Sequence, residues 1–332
     1  MTHWQRYGWE LALAVLLVME ILVFGLANPR MLDINVLLFS TSDFICIGIV
    51  ALPLTMVIVS GGIDISFGST IGLCAIALGV MFQAGIPLPL AITFTLALGA
   101  LCGLINAGLI IYTGINPLVI TLGTMYLFGG SALLLSGISG ATGYEGIGGF
   151  PMAFTDFANL TVFGLPVPLT IFIFCVLLCW LLMHRTHSGR NIFLIGQSSR
   201  VAQYSAIPVN RTLCALYSMT GFAAAIAAVL LVSYFGSARS DLGVSFLMPA
   251  ITAVVLGGAN IYGGSGSIIG TAVAVLLVGY LQQGLQMVGV ANQVSSALSG
   301  ALLIIVVVGR SVSLHRHHIQ EWIQRRRTIR QD

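Results

Sequence analysis

Apolar runs near or above the roughly 18 residues that let a helix cross a bilayer follow one another along almost the whole chain. They cover 9–27, 42–60, 68–86, 88–112, 117–136, 165–183, 212–235, 246–262, 267–288 and 292–309. Little remains from which to build a soluble surface. The 332 residues are 58% apolar and 7% charged, where a soluble domain carries about 25% charge. Backbone in hydrocarbon must satisfy its own hydrogen bonds, which leaves helices or closed barrels. Runs of this length predict an all-α, polytopic integral membrane protein of about ten transmembrane helices. A single transmembrane domain fills 1–332: six spans over 9–183, a basic loop at 184–211, four spans over 212–309 and a basic tail at 310–332.

Two of the runs are entered through related glycine phrases, GGIDISFGSTIG (61–72) and GGANIYGGSGSIIG (257–270). Gly61, Gly62, Ile65, Gly68 and Ser69 recur as Gly257, Gly258, Ile261, Gly264 and Ser265. Glycine-broken segments at matching places in two halves mark a transporter built from internal repeats, with its pathway near the breaks. Asp64 is answered by Asn260 in the second copy, so that place asks for a hydrogen-bond acceptor rather than a charge. The spans at 68–86 and 246–262 flank these phrases and are candidates for half-helices.

Arginine placement orients the chain. The segment 184–211 holds Arg185, Arg190, Arg200 and Arg211 without an acid, and the tail holds Arg310, Arg316, Arg325, Arg326, Arg327 and Arg330. Both fall on the cytoplasmic side, as does the amino end with Arg6; an even number of spans satisfies all three, with both termini cytoplasmic. The outside receives 28–41, 137–164 and 236–245, where Arg239 and Asp241 nearly cancel. The glycine- and aromatic-rich 137–164 segment is a lid, a docking surface or a plain connection.

All thirteen basic residues are arginine. Without a lysine there is no Walker A loop and no Schiff base. Six cysteines (Cys46, Cys74, Cys102, Cys175, Cys179, Cys214) lie in or beside apolar runs and form no CxxC pair; they read as small hydrophobes. No cleavable signal is apparent, because the first apolar run is long and no small-residue cleavage site follows it. The GGSG of 263–266 offers a serine, but His3, His184, His187, His315, His317 and His318 all lie outside the spans, which argues against an intramembrane protease. Intramembrane carboxylates are functional candidates by default; Glu20 and Asp64 would serve an ion-coupled transporter, while packing and capping are their plain readings. Gln282, Gln283 and Gln286 line a hydrophilic route or bond between helices. Gly68/Gly72, Gly99/Gly103 and Gly266/Gly270 suit close helix packing. The arginine-rich tail fits anionic lipid, not nucleic acid.

The stretch 186–211 is too long for a turn. Arg200 to Ile207 form a short helix ended before Pro208, suited to a groove on a soluble motor subunit; an inert basic loop is the plainer reading.

GGIDISFGS (61–69), NPLVITLGTMYLFGG (116–130), THSGRNIFLIGQ (186–197) through AIPVNR (206–211), and VVLGGANIYGGSGSIIGT (254–271) carry a resemblance. Over nearly its whole length the chain resembles the permease subunits of bacterial ABC importers of the ribose/branched-chain amino acid superfamily. YGWELALA (7–14), residues 42–80 and YFGSARSDLG (234–243) carry a closer match, to importers of a small furanose-like signal molecule. The resemblance implies a non-catalytic, multi-pass subunit of the bacterial inner membrane with no cofactor of its own. It implies a heterodimer with a second permease, two cytoplasmic ATPase subunits that bind ATP and Mg, a periplasmic substrate-binding protein, and that solute or a related sugar as cargo. It makes 189–208 the ATPase-coupling loop, with Gly189, Arg190, Gly196 and Pro208 on the family pattern and Arg200 and Ile207 on its helix. SSRVAQYS (198–205) departs from that pattern. Asn116, Pro117 and Thr121 stand where the family puts a polar break in a helix; with Gly61, Gly62, Asp64, Gly257, Gly258 and Asn260 they make up the candidate hinges and pathway.

Overall fold

The computed structural model describes residues 3–140 and 146–291, with scattered helical positions (294, 297–298, 300–301, 304–305 and 308) beyond. The expected span 292–309 falls largely outside the described residues, and the tail 310–332 and the side chain of Arg6 lie outside them altogether.

Thirteen helices are described: α1 His3–Ala27, α2 Ile34–Ser40, α3 Ile45–Val59, α4 Phe67–Gln83, α5 Leu88–Thr113, α6 Pro117–Ile138, α7 Met152–Thr155, α8 Val167–Arg185, α9 His187–Gln197, α10 Ser199–Tyr204, α11 Val209–Phe235, α12 Leu247–Leu256 and α13 Ile268–Met287. Six are long and apolar enough to cross a membrane: Gly8–Ala27 within α1, and α5, α6, α8, α11 and α13. A bent pair, Ile34–Asp43 with Ile45–Val59, angled by 63°, is long and apolar enough to be a broken span or a re-entrant loop. The phrase-flanking elements are short, as the glycines require: α4 has 17 residues and α12 has 10.

Local chemistry sets the boundaries. Gly114 (φ 66°) ends α5 in the left-handed region, Asn116 Oδ1 accepts from the Leu118 amide, and Pro117 opens α6. Asn116 and Pro117 therefore cap the start of a helix; they do not break one, which corrects the sequence expectation. Every residue of α3 is buried, so this helix is the axle around which α8, α11, α12 and α13 pack. One face of α1 is a row of exposed apolar side chains, from Leu11 to Leu26. The α5–α11 seam runs on small residues: a Cβ on Gly103 would meet the Tyr217 carbonyl, and one on Gly99 the Gly221 carbonyl.

The 236–245 segment does not stay outside the bundle. Ala238 lies against Gly79, the Ser240 carbonyl against Gly72 and the Gly243 carbonyl against Gly68, a descent of about 16 Å along α4. The Gly68–Gly72 stripe receives backbone from a turn-containing segment, not another helix. Irregular chain is tolerated there because protein buries its backbone, and the ten-residue α12 follows it.

The outer segment folds back over the same end. Ile147 and Ala238 exchange backbone bonds of 2.8 and 2.9 Å, Phe150 stacks on Phe82 at 4.9 Å, and Ser233 Oγ donates to the Phe154 carbonyl at 2.5 Å. A two-stranded hairpin, β1 Thr161–Val162 with β2 Leu165–Pro166, turns at Phe163 and Gly164, both at positive φ, and holds Phe163 fully exposed.

Gly103→Leu should force the α5–α11 seam apart and cost about 1–3 kcal/mol or more. Gly108, whose Cβ position is open, should accept alanine without loss. Melting temperatures of the purified variants in detergent check this; equal melting of the two would show that the seam does not depend on close approach.

Candidate functional site: two glycine breaks beneath a basic loop

The two phrases end their helices in the same way, one residue out of step. In the first, Gly61 (φ 84°) donates to the Ile58 carbonyl at 2.9 Å and Gly62 to the Val57 carbonyl at 3.0 Å. In the second, Gly258 (φ 101°) donates to Val255 at 3.0 Å and Ala259 to Val254 at 3.2 Å. Both are Schellman caps, whose left-handed residue favours glycine. An Asx turn follows each cap. Asp64 Oδ1 accepts from the Ser66 amide at 2.9 Å, and Asn260 Oδ1 from the Tyr262 amide at 3.2 Å.

Their surroundings differ. Asp64 is buried, and its Oδ1 also accepts from Ser66 Oγ at 2.7 Å. Asn106 of α5 donates to the same hydroxyl at 2.7 Å. Tyr217 of α11 and Thr121 of α6 donate to the Ile63 carbonyl at 3.2 and 3.4 Å. Three helices therefore converge on 63–66. Sequence reasoning found Thr121 but missed Asn106 and Tyr217; the signal was a lone amide and a lone phenol inside apolar runs, where each needs a partner. Asn106 Oδ1 is buried with no partner among the described residues. The second copy is pinned by Thr271 of α13, whose hydroxyl lies 2.9 Å from that of Thr55 in α3.

The basic loop sits directly under both breaks. Thr186 caps α9 by accepting from the Gly189 amide at 3.3 Å, and a Cβ on Gly189 would strike the Met183 carbonyl. At the far end of α9, a Cβ on Gly196 would strike the Val59 carbonyl and approach the Gly264 amide. That amide donates to Val59 O at 2.8 Å, and a Cβ on Gly263 would meet Gly196 O and Gly61 N. The end of α3, the second phrase and the basic loop thus meet backbone to backbone. Both breaks lie at the same end of the bundle, which makes the repeat a parallel one.

The loop holds two helices where one was expected. Ala206 (φ 58°) stops α10 at Tyr204, short of Ile207. Ile207 is not presented outward; it packs on the cluster of Ile195, Ala202 and Val209. Arg200 is exposed, Arg190 contacts His187, and Pro208 precedes α11. The apolar outer face of α10 belongs to Val201 and Tyr204, 62% and 92% exposed, which the sequence reading missed.

Of the remaining candidates, Glu20 has both carboxylate oxygens buried without a partner among the described residues. Gln282 and Gln286 are engaged with other groups. The described residues hold no cluster of three or more His, Cys, Asp or Glu that could bind a metal.

A helical membrane bundle with glycine-broken crossings, and a helix-bearing basic loop docked on the breaks, has the architecture of a transport subunit. A family model described as "Branched-chain amino acid transport system / permease component" matches residues 36–307. The chain is 84% identical over 327 residues to the autoinducer 2 import system permease protein LsrD of Yersinia enterocolitica (serotype O:8 / biotype 1B), covering 98% of this chain and 99% of that one. It is 82% identical over 328 residues to the protein of that name from Yersinia pseudotuberculosis (serotype O:1b), covering 99% and 98%. No solved structure matches. The chain belongs to the branched-chain amino acid transport system permease family and is a multi-pass inner-membrane permease subunit.

Asp64→Asn keeps an acceptor for Ser66 and should melt close to the parent. Asp64→Leu strands the Ser66 amide and hydroxyl and should lose about 1–3 kcal/mol for each, seen as a lower melting temperature. Equal loss in both variants would mean that the charge itself is needed.

Proposed function

We propose that this chain is the transmembrane subunit of an ATP-driven importer that carries autoinducer-2, or a related furanose-like sugar, across the inner membrane. The observation that carries the mechanism is the backbone junction of Gly196, Val59 and Gly264. An ATPase that moves 186–211 from below pushes directly on the ends of both broken helices. The cargo assignment rests on the relatives named as autoinducer-2 import permeases.

In this reading a second permease completes the pathway, two cytoplasmic subunits supply ATP and Mg chemistry, and a periplasmic binding protein selects the solute. The chain itself carries no cofactor and catalyses no reaction. The loop 189–208 is the coupling element: Gly189 and Gly196 allow its close docking, Ile207 and Pro208 fix α10, and Arg190 and Arg200 face the motor, joined by Val201 and Tyr204. Gly61, Gly62, Asp64, Thr121, Gly257, Gly258 and Asn260 shape the hinges, while Asn116 and Pro117 set where α6 begins. Ten crossings, counting the two short ones and 292–309, put both termini in the cytoplasm. An ion-coupled carrier is the weaker reading, because one Asp64 oxygen is already committed to two hydrogen bonds inside the break.

Arg200→Glu combined with Tyr204→Ala should leave the amount of protein in the membrane unchanged while uptake of autoinducer-2 falls at least tenfold and ATP turnover no longer responds to loaded binding protein. Co-purification with the ATPase and uptake in reconstituted vesicles check this. Normal uptake by the double variant, or uptake that follows the proton gradient at constant ATP, would overturn the reading.

A further inference from the structure

Charge inside a bilayer is costly and marks water or a partner, so the depth of the Arg239–Asp241 pair matters. Two contacts fix it. Asn106 of α5 touches Ser66 at one level, and Cys74 Sγ lies 3.8 Å from the Thr95 carbonyl at another. Asn106 is seven residues before the end of α5 and Thr95 seven residues after its start, so each lies about 10 Å inside the bundle. Gly72 falls between these levels, and the Ser240 carbonyl rests on Gly72. Cys74 and Gly72 are two residues apart, so Ser240 stands about 13 Å inside the start of α5; Arg239 lies shallower, its Cγ beside Gly146 of the covering segment, and Asp241 lies deeper.

The segment is fastened above and below by buried Ala238 and Leu242, yet the two charged side chains between them are 41% and 30% exposed. Arg239 Nε donates to Asp241 Oδ1 at 2.9 Å and Nη2 donates to Oδ2 at 2.5 Å. This planar two-bond pair fixes the guanidinium against the carboxylate. It leaves guanidinium N–H groups as donors and carboxylate lone pairs as acceptors, side by side.

We propose that this pair is a hydrogen-bonding station on the translocation path for a neutral polyhydroxylated solute. An unpaired arginine would hold anions and an unpaired aspartate cations. A neutral pair holds neither, but offers a ring bearing neighbouring hydroxyls both a donor and an acceptor. Such contacts are weak and exchangeable, as a conduit requires when selection lies elsewhere. The proposal rests on the importer reading above.

The test uses the full complex reconstituted in vesicles, with autoinducer-2 presented on its binding protein. Replacing the pair by leucines (Arg239→Leu with Asp241→Leu) should lower uptake per assembled complex at least tenfold, and exchanging the charges (Arg239→Asp with Asp241→Arg) should not restore it. Full uptake by the leucine variant overturns the proposal. Rescue by the exchange also overturns it, because a pair that only braces the fold through its own two bonds tolerates reversal. Should the doubles not assemble, Arg239→Cys in a chain stripped of its native cysteines is probed with a charged thiol reagent. Modification slowed by saturating solute supports the station; no modification, or modification that the solute leaves unchanged, overturns it. A parent complex that imports nothing is a separate result, since it sinks the importer reading before the pair is tested.

Discussion

The bond from the Gly264 amide to the Val59 carbonyl, with Gly196 seated on it, joins three parts of the chain that no side chain separates. Close-packed protein passes displacement on instead of absorbing it, and backbone contact leaves no rotamer to take up the strain. A push on α9 is therefore delivered to the end of α3 and to the second glycine phrase together. Any residue larger than glycine at 196 would open this junction. The position of the basic loop, the level of both breaks and the parallel sense of the repeat all follow from it.

Within that frame the two phrases are alike in backbone and different in role. Each ends a helix with a Schellman cap and then an Asx turn, which explains why aspartate can stand in one copy and asparagine in the other. The first is clamped by α5, α6 and α11 through Asn106, Thr121 and Tyr217. The second lies against α13 and the basic loop. One break is braced inside the bundle while the other packs on the basic loop, so a common displacement would bend them unequally.

The outer end is built on the opposite principle. There the chain between α11 and α12 enters the bundle without forming a helix, using the glycine stripe of α4 as its track and the 146–150 segment as its cover. The backbone of this segment is buried in protein, while its charged pair stays partly exposed beside the covering segment.

Much of this was legible in the residues. Long apolar runs with few charges dictate membrane helices, because hydrocarbon accepts no unpaired backbone. The paired phrases announced the breaks, and the step from Asp64 to Asn260 announced an acceptor. Gly99 and Gly103 announced a seam between helices. The sequence alone did not determine what each glycine faces: Gly68 and Gly72 read as a helix seam and turned out to hold an irregular segment, and 236–245 read as an outer loop and turned out to descend. Nor did it bring Asn106 and Tyr217 to Asp64, or Gly196 to Val59. Periodicity and composition are local and act through solvent, so they fix which segments are helical and which enter the membrane. Which backbone fills a gap left by a missing Cβ depends on partners far off in the sequence, and only the tertiary packing chose them.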